Sequence, residues 1–301
     1  MKRGRMKRAG VVFGALLMGV ALLLSGCDEY GGGAFQVERG EETTVGVVVP
    51  LLIEIATTNG HIAVIGNDEA TEITVAATLH ANGDSEDEAE DRLERIVYHV
   101  EQLSDRIRIT YDADDQEDDV RRHAAVAFDV TVPSACVVIA DTSNGAITLE
   151  STSGTANLET SNGAVDVYDV VGDLLVRTSN GRIDVSRVEG DIRVDTSNGE
   201  VWIHRTTGHV DADTSNGSIR FEGTLVGMGN SLSTGNGSVT VAVAADASIA
   251  IEARTSVGSI SSRLPLVGDT EGREWNATLN GPATAGVSIR TTNGSIRLEE
   301  L

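Results

Sequence analysis

Asp166 and Asp184 stand eighteen residues apart in a chain that repeats itself every eighteen residues. Stacked at the ordinary strand spacing, their carboxylates would lie about 5 Å apart, the separation of a retaining glycosidase pair. Nothing around them marks a cleft that could distort a sugar, and stacked acids are commonplace at a formal net charge of −23. Asp191, His209 and Asp211 are the weak candidates for a metal site, because three loosely spaced donors would sit on a flat face. Trp202 beside Tyr168 and His204 offers a small stacking platform for a sugar or a peptide. Aromatic residues make up only 3% of the chain, so this outward cluster is the one to probe for ligand contact. There is no glycine-rich phosphate loop before a helix, no His pair at metal spacing and no nucleophile elbow. The residues imply no catalytic site and no cofactor, and the expectation is a protein that is not an enzyme.

The elements that must position these side chains follow from the repeat. Thr-Ser-Asn-Gly begins at Thr142, Thr160, Thr178, Thr196 and Thr214. Looser copies start at Thr234, Thr255 and Thr291, and one earlier copy is Thr57-Thr58-Asn59-Gly60. A period this short means one small unit stacked on itself, since the unit cannot bury its apolar side alone. Apolar residues alternate after each Asn-Gly, as in Ile147 and Leu149 or Val165 and Val167, and again after a second glycine at Gly154, Gly172, Gly190 or Gly208. Such alternation bounded by turn residues reads as half-buried strands.

A meander of hairpins would use each Asn-Gly as a tight turn. A β-solenoid would place each at one corner of a coil, above its predecessor. Both half-units keep the same apolar phase and the strict period brings like onto like, which favours the solenoid. The fold expected is all-β, a solenoid of ~18-residue coils with one amphipathic helix inserted near its N-terminal end. The corners would be Asn144-Gly145, Asn162-Gly163, Asn180-Gly181, Asn198-Gly199 and Asn216-Gly217. There Gly would supply φ > 0, the asparagines would form an amide ladder and the threonines would face inward. Residues 125–301 would give about eight to ten coils at the normal strand spacing. Outward, Glu159, Arg177 and Asp195 alternate in sign and suggest structural pairing. After Gly217 the period drifts, and the stretch from Gly258 to Gly294 is two coils or one coil with a long loop through Pro265 and Pro282.

The front of the chain supplies an address. Lys2, Arg3, Arg5, Lys7 and Arg8 precede an apolar stretch from Val11 to Leu24, too short for a comfortable transmembrane helix. It ends in Leu24-Ser25-Gly26-Cys27, which resembles the lipobox of bacterial lipoproteins, where the Cys becomes the lipidated first residue. The expected division is residues 1–26 as signal peptide, 27–44 as flexible tether, 45–124 as N-terminal strands with an insertion, and 125–301 as the solenoid. Ser85 and Glu88 form a capping box, and Leu93, Ile96, Val97, Val100 and Leu103 at helical spacing predict one helix from Glu86 to Ser104 that covers the open end of the solenoid. A strand from Arg106 to Tyr111 and a solvated acidic loop, Asp112 to Asp119, follow. Cys136, among apolar neighbours, reads as a buried free thiol. The chain has no lysine outside the signal, and such acidity excludes nucleic acid and anionic headgroups as partners. Salt adaptation is a further suspicion from the same acidity.

The signal with Cys27, the lead-in Val132-Pro133-Ser134-Ala135 and the Thr-Ser-Asn-Gly coils together resemble the bacterial "putative adhesin" family with DUF4097-type β-strand repeats. The resemblance covers about residues 45 to 301 and is strongest between Asp141 and Arg220. It implies a right-handed, single-stranded β-solenoid at the cell envelope, without an established activity or catalytic residues. The expectation is therefore an exported, lipid-anchored envelope protein on the periplasmic or extracellular face. It would present regular faces to a polysaccharide or an envelope protein and touch the membrane through Cys27. A carbohydrate-active β-helix enzyme and a self-assembling filament are the alternatives.

Overall fold

The computed structural model describes residues 35–47, 51–113 and 123–301. The signal segment, Cys27 and most of the acidic loop lie outside the described residues. The N-terminal part holds β1 (Phe35–Gly46), β2 (Leu52–Asn59), β3 (Ile62–Asn67) and β4 (Glu72–Gly83). Helix α1 (Glu86–Glu94), β5 (Ile96–Gln102), β6 (Ile107–Ala113) and β7 (Ala124–Pro133) follow. The regular array begins with β8 (Val137–Asn144), β9 (Ile147–Glu150), β10 (Ala156–Thr160), β11 (Val165–Val171), β12 (Leu174–Thr178) and β13 (Ile183–Glu189). It continues through β14 (Ile192–Asn198), β15 (Val201–Gly208), β16 (Val210–Asn216), β17 (Ile219–Leu225), β18 (Asn230–Asn236) and β19 (Val239–Val243). The last elements are β20 (Ile249–Val257), β21 (Ile260–Ser262), β22 (Val267–Asp269), β23 (Glu274–Leu279), β24 (Ala285–Asn293) and β25 (Ile296–Glu300).

Each coil is a strand of one sheet, an Asn-Gly corner, and a strand of the other sheet. The first sheet carries β9, β11, β13, β15, β17 and β19 in parallel order, and the second carries β8, β10, β12, β14, β16 and β18. Between them the alternating apolar positions form one contiguous core, with Ile147, Leu149, Val165, Val167, Ile183 and Val185 all at 0% exposure. The threonines face inward as expected. The Thr160 hydroxyl donates to the Gly145 carbonyl at 2.9 Å, and Thr178 does the same to Gly163 at 3.1 Å. A ladder of amides runs from Asn59 through Asn144, Asn162, Asn180, Asn198, Asn216 and Asn236 to Asn293, each Nδ2 donating to the preceding Oδ1 at 2.8–2.9 Å.

The glycine of each corner is needed for a reason other than the expected one. Gly145, Gly163, Gly181, Gly199 and Gly217 do not have positive φ. A Cβ on Gly181 would instead sit 1.7 Å from the carbonyl oxygen of Gly163, and every corner glycine of the array meets its predecessor in this way. The left-handed backbone lies at the opposite corner, at Ser151, Asp169, Arg187 and Arg205, followed by Gly154, Gly172 and Gly190 at φ 142 to 149°.

Spatial order departs from chain order at both ends. The coil of β2 and β3 stacks directly on that of β8 and β9, whereas β6 and β7, later in sequence, lie outside it. No structural break therefore separates 45–124 from 125–301. At the other end β20 and β21 leave a gap beside β18 and β19, and the last strands, β24 and β25, return to fill it. The long stretch from Gly258 to Gly294 is thus one outer strand, a hairpin of β22 and β23, and the way back.

Two expectations for the N-terminal region are corrected. The helix ends at Glu94, capped by Arg95, and Ile96 to Gln102 form a strand antiparallel to β6. Ile96, Val97 and Val100 fit helical spacing, but they are β-branched and the edge of β6 supplies backbone partners that a longer helix would leave unmet. The cap itself is as read: Glu88 N–H donates to the Ser85 hydroxyl at 3.2 Å. Helix α1 packs on β4 and β1 at the end of the first sheet, burying Ala89 and Leu93. The tether is also shorter than its composition suggested, because from Phe35 onward the chain pairs antiparallel with β4, bonding through backbone that its Gly and Glu content does not impede. Across coils, Arg106 binds Glu54 at 2.9 Å, and this bond holds the Glu54 carboxyl below its ordinary range.

Candidate functional site

The outward rows of the first sheet lie as the repeat requires. Thr148, Asp166, Asp184, Trp202 and Arg220 are successive register partners, and Glu150, Tyr168, Ser186, His204 and Glu222 run beside them. The Trp202 and His204 rings stack, with centroids 4.3 Å apart and planes 22° from parallel. His204 Nε2 meets Asp184 Oδ1 at 3.1 Å, and Asp184 is only 6% exposed. Arg182 ties the two acids together, reaching Asp166 at 2.8 Å and Asp184 at 3.9 Å. Tyr168 lies half-buried beside them; burial first, and then the charges of Asp166 and Asp184, push its phenol above the ordinary value.

The acids of this row are engaged by neighbouring side chains. Arg182 reaches both acids of the glycosidase-like pair, and His204 engages Asp184 from the next coil. Ser186, His204 and Asp184 have the residue types of a nucleophilic triad, yet Ser186 is 1% exposed and its Oγ bonds the Arg187 guanidinium at 3.4 Å. What remains accessible is a half-buried indole, an imidazole and a phenol beside a paired acid and arginine. Arg182 escaped the sequence reading, although a signal was present. In the column Ala146, Ala164, Arg182, Glu200, Ser218 it is the one basic side chain, placed directly before the row that holds Asp184. Arg187, on the left-handed corner, was missed likewise; its Nη2 bonds Asp169 at 2.7 Å and holds that carboxyl low.

The other candidates come apart. Asp191 and His209 hold the same corner of successive coils, but Asp211 faces Arg193 at 3.5 Å, and the Asp173 carboxylate accepts the Asp191 N–H at 3.2 Å. Among the described residues no three His, Cys, Asp or Glu side chains are grouped to hold a metal ion. Glu159, Arg177 and Asp195 are register partners, yet no ion pair closes among them. Exposed long side chains gain too little from such pairs to fix one geometry. Cys136 is buried as expected, 4% exposed, and burial pushes its thiol up to about 11. No helix among the described residues is long and apolar enough to cross a membrane.

The chain is thus a two-faced parallel β-solenoid, with the apolar and threonine positions of the repeat inside, its asparagine ladder along one exposed corner, and the variable residues on the outer faces. The Toastrack DUF4097 family matches residues 52–299, and the chain belongs to it. Among solved structures it is similar to a "putative adhesin" from Bacteroides fragilis NCTC 9343, at 10% identity over 86% of this chain and 97% of that one, TM-score 0.48. It is similar also to a "putative adhesin" from Parabacteroides distasonis ATCC 8503, at 13% identity over 86% and 97%, TM-score 0.47. A third is a "putative cell adhesion protein" from Clostridium sporogenes ATCC 15579, at 11% identity over 87% and 100%, TM-score 0.25. No functionally curated protein matches the sequence.

Proposed function

We propose that this protein is a non-enzymatic, adhesin-like interaction module of the bacterial cell envelope, lipid-anchored through Cys27. It acts by presentation: a rigid rod holds shallow contact residues at fixed spacing toward a polysaccharide or a protein partner. The observation that carries this reading is the division of labour within the repeat. Thr, Asn and Gly are spent on the coil-to-coil contacts, and the Trp202–His204 stack is left on the outer face. An indole stacked this way supplies contact area at little cost in side-chain order.

The test is glycan-array and envelope pull-down binding by the full chain and by Trp202→Ala. Binding that falls at least about tenfold in the variant supports the platform; binding unaffected by it removes Trp202 from the account. Turnover of any polysaccharide, abolished by Asp184→Asn, would overturn the non-enzymatic assignment. Lipidation is checked by labelling with a radioactive fatty acid, which Cys27→Ser should abolish.

A further inference from the structure

A groove of about 670 Å³ lies on the outer face of the second sheet, where β18, β24, β20 and β23 run side by side. That volume is within the range of small-molecule sites. Its floor is backbone at Ala253 and Ile289, whose side chains turn into the core. Its lining includes Arg254, Arg290, Glu252, Glu274 and the hydroxyls of Ser233 and Ser288.

The outward row of this sheet, followed from coil to coil, is Asp195, Asp213, Ser233, Arg290, Arg254, Glu274. Arg254 and Arg290 are the one Arg–Arg register pair among the described strand pairings, and both are exposed. Neither closes an ion pair. Glu274 is the antiparallel partner of Arg254 and Glu252 lies two residues along, yet neither carboxylate engages it. Like charges placed directly across a ladder cost stability. In a chain with 46 acidic and 23 basic residues, acids to quench this pair were not scarce. The interleaved return of β24 is what creates it, by placing Arg290 between Ser233 and Arg254.

Two arginines in register on adjacent strands present forked donors suited to a carboxylate. The flanking glutamates can only accept hydrogen bonds, which suits hydroxyl groups and repels a densely charged polyanion. We propose that this groove binds an acidic saccharide of the uronate type. Its isolated carboxylate would sit on Arg254 and Arg290, with its hydroxyls on Glu252, Glu274 and the serines. The site is on the opposite sheet from Trp202 and does not depend on that platform.

The test is titration calorimetry of the full chain with trigalacturonate, its methyl ester and inorganic phosphate. Saturable binding of the acid alone is expected. It should weaken at least about tenfold in the Arg254→Gln/Arg290→Gln double variant, fall less in Arg254→Lys, and be unchanged in Trp202→Ala. Absence of binding, equal binding of the ester, or affinity unaltered in the double variant each overturn the proposal. Phosphate binding as tightly would overturn the saccharide class. Loss in Trp202→Ala would place the sugar on the other sheet, whereas failure of the groove variants leaves the Trp202 experiment standing. Thermal unfolding gives a second readout: Arg290→Ser should raise the Tm by relieving repulsion, and a lowered Tm would show that the arginine is structural.

Discussion

At the scale of single residues, the repeat is a set of contacts between neighbouring coils, and its members are not equally replaceable. The Asn180 amide makes two ladder bonds at 2.9 Å on the exposed corner, so Asn180→Ala should cost about 1 kcal/mol in chemical denaturation. Gly181→Ala puts a methyl group 1.7 Å from a backbone oxygen that the next coil holds in place, and should cost roughly 3 kcal/mol. A smaller loss for the glycine variant than for the asparagine variant would refute the steric account. Cys136 makes a second test. With its thiol pushed up to about 11 by burial, the native protein should resist alkylation at pH 8, and mass spectrometry should locate modification at Cys136 only after unfolding. Because the unfolded thiol gives up its proton first, stability should fall as pH rises from the ordinary thiol range through 11. Threonine burial and the asparagine ladder were legible in the sequence. The glycine requirement was legible as a requirement, but its cause was not, since a carbonyl from another coil has no signature in the local residues.

At the scale of elements, the same distinction explains the helix that stopped early. Residues 86–94 carry their own cap and charges, and they are helical. Residues 96–102 satisfy a helical period and a strand period at once, and the unpaired edge of β6 decides between them. Backbone groups at a sheet edge must find partners, and this outweighs a weak local preference. At the other end, β24 and β25 are the keystone, bonded on both sides. Truncation after Thr284 should strip hydrogen-exchange protection from 249–279 while 142–225 keeps it. Uniform loss across the chain would show instead that the solenoid unfolds as one unit.

At the scale of the whole molecule, a solenoid is bound by nearest-neighbour contacts, so its coils should be interchangeable in number. Excision of residues 164–181 removes one whole period and should leave a folded, cooperative protein. Excision of 164–172 removes half a period, brings each sheet's strands onto the wrong partner, and should abolish folding; comparable melts for the two would defeat the register argument. The sequence by itself determined the coil, its period, which residues face inward and which rows face out, because those follow from a local alternation repeated without change. Only the tertiary structure decided the order of coils at the two ends, the strand that replaced half a helix, and the pairing of Arg254 with Arg290. Each of these depends on which backbone edge a distant segment meets, and that choice is made by hydrogen-bond satisfaction across the fold, not by the residues nearby in the chain.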